Sequence, residues 1–131
     1  MTTLALSGVA PACDAHIVFI RPTKQGLEIV GDHKLKRAAT VVQALLAVGA
    51  KASNGEVTLV PAGAASAAPL VVAVGLGTAT NLDDIRAAAG NAVRALVGKK
   101  KAALSAPATD ADTVRAVVEG ALMAAYAFDE Y

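Results

Sequence analysis

The sequence predicts an α/β fold: a three-layer α/β/α sandwich with a mixed, mostly parallel central sheet. The stretch Leu70–Leu96, LVVAVGLGTATNLDDIRAAAGNAVRAL, has the pattern of a buried strand, a glycine turn and an amphipathic helix. Helical and strand patterns alternate along most of the chain, which favours helices on both faces of a parallel sheet. The early strands follow one another without a helix between them, which indicates that one edge is antiparallel.

The amino-acid composition limits the classes of protein to which the chain can belong. The 131 residues suit one domain, and the chain is 55% hydrophobic with 3% aromatic residues and no Trp, so Val, Leu and Ile must form the core. A net charge of +1 gives no reason to expect nucleic acid or an anionic membrane as partner. The single Cys13 excludes an internal disulfide. With no apolar run of about 20 residues and no basic signal region, we expect a soluble, cytoplasmic domain.

The N-terminal third predicts strands. Leu4–Ala10 alternates weakly, as an edge strand does, and Asp14–Ile20 (DAHIVFI) is a clear strand. We expect Pro22 to end that strand, because a proline cannot donate to a central ladder. The short apolar segment Leu27–Val30 is either a hairpin arm or the approach to a helix.

A helix and a further strand follow. Apolar residues at helical spacing predict a helix over about residues 33–48, with Asp32 as its N-cap. Ser53–Gly55 is a turn signal, and Glu56–Val60 alternates as a half-buried strand does. The segment Pro61–Pro69, PAGAASAAP, predicts a loop.

The next unit is a buried strand followed by a helix. Leu70–Val74 lacks polar alternation and should be covered on both faces. Asn81 is a plausible N-cap, Asp83 and Asp84 suit the positive end of the helix dipole, and Gly98 is a plausible stop. The predicted apolar face consists of Ile85, Ala88, Ala89, Ala92, Val93 and Leu96.

The chain ends in a short strand and a long helix. We expect a strand over Ala102–Ala106, stopped by Pro107. Thr109 or Asp110 should cap the last helix, with Asp112 in the position of a capping-box acid behind Thr109. The predicted apolar stripe consists of Val114, Val117, Val118, Ala121, Leu122, Ala125 and Phe128.

The Gly75-x-Gly77 turn is the sharpest candidate for a binding function. A dinucleotide fingerprint needs a third glycine where Thr80 stands, and an acidic residue about twenty positions later, which is missing. A Walker loop is excluded because no Gly-Lys-Ser or Gly-Lys-Thr follows. We therefore favour a role in positive φ and close packing over an anion or nucleotide cradle.

Other polar residues suggest no catalytic apparatus. His16, His33 and Cys13 have no partners at metal-ligand spacing and no nearby activating group. The acids are explained by helix ends, and Lys99–Lys101 is a charge run without an aromatic platform nearby. The sequence thus predicts no catalytic, cofactor-binding or metal-binding residue.

Two segments carry a family resemblance. Val71–Leu96 has a V-G-L-G turn followed by an alanine-rich helix with A-x-G-x-A, and Thr113–Tyr131 has the form E-G-x-x-x-x-x-Y-x-F-x-x-Y. The latter positions are Glu119, Gly120, Tyr126, Phe128 and Tyr131. This pairing resembles the N-terminal domain of the leucyl (cytosol) aminopeptidases, peptidase family M17.

The resemblance implies a noncatalytic, macro-domain-like body over residues 1–108, and a last helix over 109–131 that leads to a C-terminal peptidase domain. It also implies an enzyme that removes N-terminal residues, often leucine, from peptides, as a homohexamer with two divalent metals (zinc, manganese or magnesium). The metal ligands and catalytic residues of the family belong to the C-terminal domain. We expect the 131 residues alone to be inactive.

Two other functions remain open at this point. A stand-alone macro-like module would bind a nucleotide or ADP-ribose at Gly75–Gly77, although the chain lacks the Asn-Ala-Ala-Asn stretch of ADP-ribose binders. A DNA-binding accessory role would use Lys99–Lys101, and its hallmark would be salt-dependent binding.

Overall fold

The computed structural model describes residues 3–6, 15–24, 26–31, 38–61, 70–78, 81–96, 101–104, 107 and 110–129. Within these residues, strands and helices alternate much as the sequence predicts. The elements in chain order are β1 (Thr3–Leu6), β2 (Ala15–Thr23), β3 (Gly26–Val30), α1 (Ala38–Ala47), β4 (Val57–Pro61), β5 (Leu70–Gly75), α2 (Leu82–Arg94), β6 (Lys101–Leu104) and α3 (Ala111–Asp129).

The described strands form one mixed sheet of six, in the order β1-β6-β2-β5-β4, with β3 also paired to β2. The ladders β1–β6, β6–β2 and β2–β5 are parallel. The ladders β2–β3 and β4–β5 are antiparallel. The mostly parallel sheet with an antiparallel edge is confirmed, although the edge strand β1 is itself parallel to β6.

The helices lie on both faces of the sheet. In β2, Ile17 and Phe19 pack into a cluster with residues of α2 and α3. Val18 and Ile20 alternate with them and pack into a second cluster with residues of α1. Residues 15–20 of β2 and 71–75 of β5 are buried, as expected for strands that helices cover on both faces. The three-layer α/β/α sandwich is therefore confirmed.

The expected end of β2 at Pro22 is wrong. The strand continues to Thr23, and Pro22 is paired opposite Leu27 of β3. The parallel ladder with β5 stops at Ile20, so Pro22 lies where β2 has a neighbour on one side only. A strand with one open side tolerates a proline that a central ladder would reject. The same ladder identifies Leu27–Val30 as the arm of a hairpin.

The middle of the chain follows the predictions where it is described. Helix α1 is described from Ala38, so its proposed cap Asp32 lies outside the described residues. The Ser53–Gly55 turn is confirmed: Gly55 has φ +82°, and the Glu56 N–H donates to the Ser53 carbonyl over 2.9 Å. Strand β4 includes Pro61. The rest of the predicted loop, residues 62–69, lies outside the described residues.

Helix α2 begins at its predicted cap. Asn81 has extended backbone angles, and its side-chain Oδ1 accepts the Asp84 N–H over 2.8 Å. The six residues of its predicted apolar face are all buried. The helix ends at Arg94 with Ala95 as C-cap, before the predicted stop at Gly98, which lies outside the described residues.

Helix α3 is capped by Asp110. One oxygen, Oδ2, accepts both the Thr113 N–H (3.0 Å) and the Thr113 hydroxyl (2.9 Å). These bonds, the backbone one first, hold the pKa of the Asp110 carboxyl below its usual value of 3.8. Thr113, and not Asp112, thus occupies the position that bonds to the cap; Thr109 lies outside the described residues.

The apolar stripe predicted for α3 is partly wrong. Leu122, predicted to face the core, is 56% exposed. Up to residue 124, where the described side chains of α3 end, the buried residues are Thr113, Ala116, Val117, Gly120, Ala121 and Ala124. The buried side is thus rotated toward smaller residues. The side chains of Ala125 and Phe128 lie outside the description.

Candidate functional site

The glycine turn after β5 is closed by hydrogen bonds within the fold. The Gly75 N–H donates to the Glu56 carbonyl (2.7 Å) and the Gly77 N–H to the Ala52 carbonyl (2.9 Å). Between them, the Leu76 N–H donates to the Ile20 carbonyl over 2.9 Å. All three successive N–H groups that could cradle an anion therefore already have partners.

The two glycines are required by the approach of the neighbouring loop, residues 50–56. A Cβ on Gly75 would lie 2.1 Å from the Ser53 carbonyl oxygen, a distance that no side chain can occupy. Gly77 has φ +56°, in the left-handed region that favours glycine. Close packing and positive φ, the interpretation that the sequence favoured, account for both residues.

The neighbouring loop is held by one carboxylate. Glu56 Oε1 accepts the Lys51 N–H (2.9 Å) and the Ala52 N–H (3.0 Å). Ala52 is fully buried with φ +58°, an unfavourable conformation for a residue with a Cβ. The two bonds to Glu56 stabilise this conformation and present the Ala52 carbonyl to Gly77.

Further contacts join the turn to β2 and α2. The Arg21 guanidinium donates to the Gly77 carbonyl over 3.2 Å. The Asn91 amide of α2 donates to the Gly55 carbonyl over 3.3 Å, and its Oδ1 accepts from Arg94 over 2.8 Å. The acids Asp83 and Asp84 stand in the first turn of α2, where they oppose a bound anion. The contacts of the turn therefore hold β2, α2 and the neighbouring loop together.

Helices α2 and α3 cross with their backbones in contact. A Cβ on Gly120 of α3 would lie 2.1 Å from the carbonyl oxygen of Arg86 in α2. A Cβ on Gly90 of α2 would lie 3.4 Å from the carbonyl oxygen of Gly120. The Arg86 guanidinium flanks the crossing, 2.6 Å from Asp83 and 3.7 Å from Glu119.

This crossing joins the two segments that carry the family resemblance. Gly90 belongs to the A-x-G-x-A motif of α2, and Glu119-Gly120 opens the motif of α3. The close approach of the two helices requires the glycine at position 120, whereas a Cβ on Gly90 would make an ordinary van der Waals contact. The sequence offered one signal for this contact, a glycine in the interior of each helix, where glycine is otherwise unfavourable.

Of the other candidate residues, the structure describes His16 and Lys101. His16 is buried in β2 and is engaged by a neighbour in the fold. Cys13, His33 and Lys99–Lys100 lie outside the described residues, and Lys101 begins β6. In the described ranges no group of three or more His, Cys, Asp or Glu side chains could hold a metal ion. These residues therefore do not fit a pair of divalent metals.

No helix in the described part of the chain has the length and apolar character needed to cross a membrane.

The chain is similar in sequence to several proteins named as probable cytosol aminopeptidases. The probable cytosol aminopeptidase of Streptomyces griseus is 38% identical over 143 aligned positions, covering 100% of this chain and 28% of that protein. Those of Streptomyces avermitilis and Streptomyces coelicolor are 39% and 40% identical, again over the whole chain. The chain thus spans less than a third of the length of these relatives.

Solved structures agree in fold. The bottromycin maturation enzyme BotP superposes with a TM-score of 0.61 at 26% identity, over 92% of this chain and 25% of that chain. A second structure of BotP, a complex with Mn, gives the same values apart from 24% coverage of its chain. The family model described as the N-terminal domain of the cytosol aminopeptidase family matches residues 22–131. The chain therefore belongs to the cytosol aminopeptidase family, and it is the N-terminal domain of that family.

Proposed function

We propose that this chain is the noncatalytic assembly and regulatory domain of a cytoplasmic leucyl aminopeptidase. The observation that carries the proposal is the match over the whole chain to relatives named as probable cytosol aminopeptidases, of which it covers 28–29%. The full polypeptide would remove N-terminal amino acids, leucine among them, from peptides. The tight joints at the Gly75–Gly77 turn and at the α2–α3 crossing suit a rigid supporting domain.

In this proposal, catalysis belongs to the rest of the polypeptide. Two divalent metals, manganese, zinc or magnesium, would be bound in that other part. Residues 1–108 form the supporting body, and the helix over 109–131 leads toward the peptidase domain. The packing of α3 along α2 supports this arrangement, because it fixes that helix to the body. The full enzyme would assemble as a homohexamer.

The proposal is tested by comparing two proteins from the same gene. One is the 131-residue chain, and the other is the polypeptide encoded by the reading frame that contains it. With Mn²⁺ present, we expect hydrolysis of leucyl p-nitroanilide by the longer polypeptide alone, and light scattering should show that it is a hexamer. A stop codon directly after Tyr131, or robust hydrolysis by the short chain, would contradict the proposal.

The two alternative functions are not favoured. Binding of ADP-ribose or a nucleotide at Gly75–Gly77 would require N–H groups that already donate to carbonyls of the fold. For DNA binding through Lys99–Lys101, the matches to aminopeptidases over the whole chain offer no support.

A further inference from the structure

Helix α3 carries an apolar row that the domain covers only in part. Val114, Val118 and Leu122 follow one another at intervals of four residues, so they form a single ridge along the helix, the α3 ridge. Val114 and Val118 are half-buried, and Leu122 is 56% exposed. Next to Leu122, Met123 is 67% exposed. The ridge is therefore exposed at Leu122 and partly covered at Val114 and Val118.

The α3 ridge lies apart from the closest contact between α3 and α2. The buried side of α3 consists mostly of small residues, and the approach of Gly120 to the Arg86 carbonyl leaves no room for a side chain at that position. Scattered single apolar residues on a surface need no explanation, but Leu122 and Met123 are adjacent, and Leu122 continues a half-buried apolar row, which favours an interface. Helix α3 thus has one side that packs within the domain and a second apolar side, the α3 ridge, that the domain covers only in part.

We propose that the α3 ridge is the surface on which the peptidase domain of the same polypeptide packs. The inference rests on the proposed function, because the relatives carry more than two-thirds of their length outside the region that this chain matches. The matched region is their N-terminal domain, so that additional length follows α3. A segment joined to the end of α3 has a high effective concentration at the ridge, which favours it over any separate partner.

The test measures how accessible position 122 is in each protein. In a background where Cys13 is replaced by Ser, Leu122→Cys is labelled with a maleimide in the 131-residue chain and in the longer polypeptide. The matched control is Val48→Cys, which follows α1 on the other side of the sheet and is 62% exposed. We expect labelling at position 122 to slow by about tenfold or more in the longer polypeptide, with little change at position 48.

A second variant keeps the test independent of labelling. Because Leu122 is exposed in this domain, Leu122→Glu should leave the thermal unfolding of the 131-residue chain unchanged. In the longer polypeptide, the same variant should weaken the contact between the two domains. A protease should then cleave between the domains faster than in the unmodified longer polypeptide. Val48→Glu should do neither.

The outcomes separate this inference from the proposed function. Equal labelling of position 122 in both proteins, or equal slowing at positions 122 and 48, overturns the inference even if the longer polypeptide is an active aminopeptidase. Protection of position 122 in an inactive longer polypeptide upholds the interface and counts against the proposed function. Protection in the short chain that grows with its concentration would identify a second copy as the occupant and would also overturn the inference.

Discussion

Replacing Gly120 with alanine would place a methyl group where the backbone of α2 already lies. The new Cβ would be 2.1 Å from the Arg86 carbonyl oxygen, whereas ordinary contacts begin at 3.4 Å, so the pair must separate by about 1.3 Å. Because the obstacle is a backbone atom, no change of side-chain rotamer relieves it. The helices must move apart, and the alanines packed between them lose contact with their neighbours.

The expected loss can be worked out against a matched control. Overpacking costs about 1–3 kcal/mol, and a clash with backbone belongs at the upper end, about 3 kcal/mol. Alanine in place of glycine within a helix returns about 1 kcal/mol, which leaves a net loss of about 2 kcal/mol. Gly90→Ala has the same helix benefit, but its Cβ would lie at 3.4 Å from the Gly120 carbonyl oxygen, so we expect it to be neutral or stabilising by up to ~1 kcal/mol.

Urea unfolding followed by far-ultraviolet circular dichroism measures the free energy of unfolding of both variants. For a chain of this length, Gly120→Ala should also lower Tm by about 8 °C. Adding Arg86→Ala should not restore stability, since the clash is with the Arg86 backbone and not with its side chain. If Gly120→Ala is as stable as Gly90→Ala, the reasoning from the close helix crossing is refuted.

Three other predictions concern the helix caps and the glycine turn. Asn81→Ala removes the acceptor of the Asp84 N–H and should lower the free energy of unfolding by about 1 kcal/mol, with Asn81→Ser near wild type in the same urea assay; equal values for both variants would contradict the capping role. Asp110 has a folded-state pKa below 3.8, so its stabilising effect is complete above that value and is lost as the pH falls through the lower folded pKa. Thermal unfolding should therefore show Asp110→Ala less stable than wild type near neutral pH and the two converging in strong acid, whereas a gap that persists unchanged would refute the link to Thr113. Calorimetry with millimolar ADP-ribose should give no binding heat, because the N–H groups of Gly75–Gly77 are occupied; a saturable heat would revive the nucleotide hypothesis.

The layers of the fold could be predicted because they depend on local pattern. The uninterrupted apolar run of β5 required cover on both faces, and the period of Ile85 to Leu96 required one packed side of α2. Asn81 could be recognised as a cap because its amide oxygen suits the free N–H groups of a first helical turn. Each of these inferences needs only neighbours along the chain.

Pairings between distant segments could not be predicted in the same way. Pro22 was expected to end β2 because a central ladder was assumed on both sides; the structure shows β3 on one side and the end of the β5 ladder on the other. Likewise, the sequence of the turn Gly75–Gly77 gave no indication that the loop of residues 50–56 packs against it. The atom that excludes a side chain at Gly75 is the Ser53 carbonyl oxygen, which lies twenty-two positions away in the sequence, and only the folded chain brings the two together.

The error on α3 has a different cause, and it bears on what the helix does. Hydrophobic periodicity follows the largest apolar residues, so it placed Val118 and Leu122 in the packed stripe. The crossing with α2 selects instead for small residues, because Gly120 approaches the Arg86 backbone. Leu122 is consequently left on the outer flank, where it is 56% exposed, and Val118 is half-buried. A helix required only for this domain could carry a polar residue at position 122 with little loss of packing, so the exposed Leu122 supports the second contact that we propose for α3.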